Sequence, residues 1–135
     1  MANEWTKVEA YGDNNDGRKI RFAIADNVSV SQGQLCALLD PRTASGATTV
    51  ACDTAFCGVA AEEKRAGIGV TDVSIWTDGI FEAVASGAIG IGNPVSGGCG
   101  NLVRIAPATA SGAGIIGWAL EAATDAETIN IRLKI

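Results

Sequence analysis

The feature that most restricts this chain is the two-residue alternation of its C-terminal segment, ETINIRLKI. There Ile129, Ile131, Leu133 and Ile135 take turns with Thr128, Asn130, Arg132 and Lys134. Successive side chains point to opposite faces only in an extended strand, so a period of two gathers the aliphatics on one face. The pattern is that of a half-buried antiparallel strand. RKIRFAI repeats it, with Ile20, Phe22 and Ile24 against Lys19, Arg21 and Ala23, and VTDVSIW puts Val73 and Ile75 on one face. Further strands are expected at 34–39, 48–52, 55–61, 79–84, 101–106 and 114–121. Short strands separated by Gly- and Ser-rich turns predict an all-β barrel or sandwich.

The segments between strands carry turn chemistry. Ala-Ser-Gly-Ala occurs at 44–47, 85–88 and 110–113 and reads as surface turns. A short helical turn is expected around 85–91, kept short by Gly87, Gly90 and Gly92. Thr77-Asp78-Gly79 reads as a turn after a strand ending at Trp76. Residues 1–17 form an N-terminal arm, with Trp5, Val8 and Tyr11 as isolated apolar points before the turn or link GDNNDG at 12–17. Such an arm suits docking onto a partner; the alternative is a disordered terminus with Trp5 folded back on the barrel.

A weaker recurrence runs beneath the strands. Phe22 and Phe81 are 59 positions apart (81 − 22), as are Gly33 and Gly92, and Gly58 and Gly117. FCGVAAE at 56–62 matches IIGWALE at 115–121, and an alternating strand follows each. The expectation is one domain over 18–135 made of two similar β units, 18–77 and 79–135. Gly58 and Gly117 would then sit where a strand bends or another backbone comes close.

At 135 residues the chain can bury its own core without a metal or disulfide. Its net charge of −5 argues against nucleic-acid partners, because phosphate binding is driven by Lys and Arg. The basic cluster Arg18, Lys19 and Arg21 reads as a solvated strand face or a contact to an acidic surface. No run is long and apolar enough to cross a bilayer as a helix, and the N-terminus has no apolar signal core, so no membrane partner is expected and synthesis in a reducing cytoplasm is.

Catalytic and cofactor chemistry finds little to work with. The chain has no His, which removes Ser-His and Cys-His pairs and the commonest metal ligand. Cys36, Cys52, Cys57 and Cys99 lack zinc-knuckle spacing and read as buried small apolar residues; a Cys52–Cys57 disulfide across a turn is the second reading and a four-thiolate metal site the third. Asp13 with Asp16, Glu62 with Glu63, and Asp125 with Glu127 are acids at turns or strand ends. The Gly-rich run 87–100 has no phosphate-loop lysine and no following helix. No enzyme activity, metal or cofactor is expected. Trp5, Trp76 and Trp118 remain as interface anchors or a sugar-stacking platform: Trp118 reads as core or subunit interface, Trp76 as rim-exposed.

The segments TDGIFEAVASGAIGIGNPVSGG and GIIGWALEAATDAETINIRLKI resemble the phage capsid cement, or head decoration, family (DUF2190-like). The likeness rests on Gly79–Ala83, Ala88–Val95, Gly117–Ala122 and Ile129–Leu133, and upstream on VSVSQGQLCAL at 28–38 and CGVAAEEKRAG at 57–67. It spans about residues 18–135 and omits the arm. The resemblance implies a small antiparallel β-barrel or β-tulip-like sandwich, here with an extended N-terminal arm. It implies a structural virion protein, made in the host cytoplasm, that binds the major capsid protein on the outer surface of an icosahedral head as a homotrimer. Trp5, Val8, Tyr11, Arg18, Lys19, Arg21 and Trp76 are the expected capsid or subunit contacts, read from their own chemistry. A glycan- or host-surface-binding β module on the virion is the alternative, and would show as Trp5 or Trp76 standing free on a flat face.

Overall fold

A computed structural model describes residues 4–9, 18–39, 43–46, 55–97, 101–106 and 114–134. Tyr11, the turn at 12–17, the strand expected at 48–52, Cys52, Cys99, the turn at 110–113 and Ile135 lie outside them. The strands are β1 (Thr6–Glu9), β2 (Arg18–Ala23), β3 (Leu35–Leu39), β4 (Thr43–Gly46), β5 (Phe56–Ala60), β6 (Asp72–Val84), β7 (Pro94–Gly97), β8 (Val103–Ile105), β9 (Gly117–Ala119) and β10 (Thr128–Lys134). They form one mixed sheet in the order β2-β4-β3-β5-β6-β10-β9-β7-β8, with β1 on β6 and β2 also returning to β6. The fold is all-β. It does not close as a single barrel, and the sandwich-like form of the expectation is the one that fits.

β6 explains this layout. Its 13 residues have neighbours on both edges. At Trp76 these are Lys19 of β2 and Val59 of β5; at Phe81 they are Lys7 of β1 and Ile131 of β10. The turn expected at Thr77-Asp78-Gly79 is therefore absent. Both flanks find ladder partners, and Gly79, at φ +141°, takes up the change of direction within the strand. Two other turns are corrected. Thr43–Gly46 is a strand between β2 and β3, with Leu39↔Thr43 through Cys36↔Gly46 in register. The helical turn at 85–91 gives way to isolated bridges, Ala85 to Val103 and Ile89 to Ala123. Pro94 opens β7, where a missing N–H costs no ladder bond.

The same pairings occur in both parts of the sheet. Leu35↔Val59 and Cys36↔Gly58 on one side have Pro94↔Trp118 and Val95↔Gly117 on the other. Ala37↔Ser45 has Ser96↔Arg104, and Ala60↔Ile75 has Ala119↔Ile131. Even a side-chain bond recurs: Glu62 Oε1 accepts from Ser74 N at 2.9 Å, and Glu121 Oε1 from Asn130 N at 2.8 Å. Gly58 and Gly117 meet equivalent neighbours, since a Cβ on either would collide with a backbone carbonyl, that of Trp76 or of Arg132.

The core follows the same division. One cluster holds Ile24, Val30, Cys36, Ala44, Cys57, Ala60, Val73 and Ile75. The other includes Ala85, Ile89, Val95, Val103, Ile116, Ala119, Ile129 and Ile131, and extends to Trp5, Leu35, Phe56, Val59, Trp76 and Phe81. The extension is where the two parts meet. Each large side chain fully buried there contributes about 1.5–3 kcal/mol.

Candidate functional site

The N-terminal segment is built into this meeting place. Trp5 donates its backbone N–H to the Gly33 carbonyl at 2.8 Å, and its indole Nε1 donates to the Asn101 carbonyl at 2.9 Å. Gly33 sits at φ +86°, and a Cβ there would stand 2.7 Å from the Trp5 carbonyl oxygen, so only glycine accepts both the turn and the strand laid over it. Asn101, wholly buried at φ +68°, ties the parts together. Its Oδ1 accepts from Leu35 N at 2.6 Å and its Nδ2 donates to Gly33 O at 3.2 Å.

Beside this seat lies a cavity of about 530 Å³ lined by Glu4, Trp5, Thr6, Lys7, Lys19, Gln32, Ala61, Glu63 and Trp76. The Lys7 ammonium stands 5.5 Å from the centroid of the Trp76 ring, within cation–π range. Along β2 the exposed Arg21 grips Asp72 with two hydrogen bonds, Nη2 to Oδ1 at 2.8 Å and Nε to Oδ2 at 3.1 Å, with Glu62 at 4.0 Å. That bidentate bond holds the Asp72 carboxyl below its ordinary pKa and raises that of Arg21. Cys36 and Cys57 are buried free thiols on neighbouring strands; the Cys57 thiol and burial push the Cys36 thiol well above its ordinary pKa, so it stays protonated. Among the described residues no group of three or more His, Cys, Asp and Glu is placed to hold a metal ion.

The structure thus gathers three of the expected contact residues, Trp5, Lys19 and Trp76, around one cavity. It does not present the tryptophans to a partner. Trp5 is 3% exposed and Trp76 6%, so the rim position expected for Trp76 and the free platform are both replaced by core packing. The reason is that the arm folds back and β6 continues past Trp76, so each indole acquires a second layer. Val8, Lys19 and Arg21 are exposed; Arg18 is placed by its backbone, opposite Asp78. The tryptophan that does face outward is Trp118, 40% exposed, between Pro94 and Arg132 across β7, β9 and β10. Its apolar neighbours in sequence hid this. Asn101 escaped notice altogether, because a lone polar residue in a Gly-rich stretch carries no periodic signal.

Comparison with known proteins fits this architecture. The head fiber N base of bacteriophage phi29, known from a crystal structure, is similar at a TM-score of 0.55 and 18% sequence identity, over 87% of this chain and 95% of that one. At that identity the likeness shows the fold alone. No curated protein matches the chain. The family model for phage cement proteins matches residues 14–135, almost the whole sheet. The chain therefore belongs to the phage cement protein family, structural proteins of the phage virion.

Proposed function

We propose that this protein decorates the outer surface of an icosahedral phage head, binding the major capsid protein and stabilising the assembled shell, and that it does so as a homotrimer made in the host cytoplasm. The observation that carries this reading is the family match over residues 14–135, on a chain whose described surface offers exposed apolar and basic side chains. Val8, Lys19 and Arg21 are the proposed capsid contacts, being the members of the expected set that are exposed among the described residues. The mechanism is linkage. A protein that binds only where assembled subunits meet stabilises that geometry by its binding free energy, summed over many copies. The glycan alternative draws no support from the buried Trp5 and Trp76.

The test is to add purified protein to undecorated capsids, reading stoichiometric occupancy by cryo-electron microscopy and the shell's melting temperature by calorimetry. Occupancy with a raised melting temperature supports cementing. Absence of binding, or binding that leaves the melting temperature unchanged, overturns it.

A further inference from the structure

The recurring pairings place each residue of the first part of the sheet opposite a counterpart in the second: Leu35 with Pro94, Val59 with Trp118, Trp76 with Arg132 and, through β2 and β6, Ile20 with Phe81. Exposure separates these counterparts. In the first part the cross-strand row Leu35–Val59–Trp76 is buried. The second part covers it: a Cβ on Gly97 would strike Leu35 and Phe56, Asn101 accepts from Leu35 N, and Phe81 packs on Trp76 with ring centroids 5.5 Å apart. In the second part the same row is open at two of its three members, since the Arg132 side chain is only 18% exposed. Pro94 and Trp118 are exposed and Ile91 beside them is 72% exposed. A Cβ on Gly92, which matches Gly33, would meet nothing within 4 Å, whereas one on Gly33 would strike the Trp5 carbonyl. On the complementary side the counterpart of Gly97 is Leu38, which is half-buried. Phe81 is fully buried against Trp76, whereas its counterpart Ile20 is 37% exposed.

We infer that the two parts are copies of one β unit, and that the contact joining them within the chain repeats between chains, the Trp118 row of one molecule seating on the Ile20 surface of a second copy. This rests on the self-association proposed above and names its surface. A chain that buries one copy of a contact and leaves Trp118 on one side and Ile20 on the other exposed has a head and a tail, which is the condition for heterologous association. The pairings specify the occupant: a second copy would bring Ile20 and Leu38 to the exposed row where Phe81 and Gly97 cover the first. Pro94 is suited to be covered. Leu35 needs Asn101 to meet its N–H, while Pro94 has no N–H to strand under an apolar partner. Arg132 keeps its partner in Asp78, at 2.9 Å. Such contacts continue until rotation closes a ring, as a homotrimer requires.

Analytical ultracentrifugation of the purified chain tests this without capsids. The wild type should associate, and Trp118→Asp and Ile20→Asp should each raise the dissociation constant at least about tenfold. An equimolar mixture of the two variants should form a one-to-one dimer, since each retains the surface the other lacks. A monomeric wild type overturns both the inference and the proposed self-association. An oligomer unaffected by either variant, or a mixture that stays monomeric, overturns the inference alone. Ile91→Asp, on an exposed turn, repeats the test should Trp118→Asp unfold, and undiminished association of a folded Ile91→Asp would overturn the surface. Capsid occupancy of the same variants reports separately on decoration.

Discussion

Replacing Asn101 by alanine removes the acceptor for Leu35 N and the donor to Gly33 O, and leaves alanine at φ +68°. An unmet buried N–H costs about 1–3 kcal/mol, and alanine is less at ease than asparagine in the left-handed region, so urea denaturation should show a loss of about 1–3 kcal/mol. Lys64 has a similar standing. It is 4% exposed, and its Nζ donates to the carbonyls of Ala25, Asp26 and Val28 at 3.1, 3.0 and 2.6 Å. Lys64→Met keeps the apolar stem but leaves those carbonyls unmet, and should lose about 2–3 kcal/mol in the same measurement. Neither residue was legible in the sequence. Their partners lie 66 and 39 residues away for Leu35 and Ala25, and nothing local marks such a bond. The burial of Cys36 and Cys57 was legible, because a thiol without metal spacing packs as a small hydrophobe.

At the scale of elements, the period-two segments were read correctly; in β10 and the first half of β6 burial of one face imposes the alternation directly, whereas in β2 Phe22 is half-buried and Ile20 exposed. β4 and β7 were not, since TASG and PVSG have no apolar stripe and are strands only because β3, β8 and β9 supply partners. β1 is the informative case. Its residues looked like an arm, yet Thr6 and Lys7 pair with Glu82 and Phe81 once Trp5 is anchored over Gly33. Of the expected contact residues, Trp5, Lys19 and Trp76 are neighbours around one cavity, while both tryptophans are buried, which no local pattern marks. Gly33→Ala should unseat this strand. The φ penalty and the collision with the Trp5 carbonyl together cost about 2 kcal/mol or more, and limited proteolysis should cut the N-terminal segment faster than in the wild type.

For the whole molecule, acid stability follows from carboxylates held below their ordinary pKa. Arg21 does this for Asp72, and for Glu127 the hydrogen bonds from the Thr124 hydroxyl and its backbone N–H, the latter 3.0 Å long, do the same. A depressed folded pKa stabilises at pH above the unfolded value of about 4, and that contribution is lost as pH falls through the folded value. Asp72→Asn should therefore flatten the dependence of stability on pH below about 4 and leave its shape near pH 7 unchanged, as read by chemical denaturation across a pH series. β6 has a further consequence. Because one uninterrupted strand supplies the central ladder to both parts, no line crosses the molecule along which it could bend without breaking backbone hydrogen bonds on both edges. Among the described residues the two parts are thus joined through one continuous strand. On the decorating role proposed above, a shell that changes curvature would have to tilt the molecule as one piece or shed it, and deuterium should enter the amides from Trp76 to Phe81 only when the entire chain unfolds.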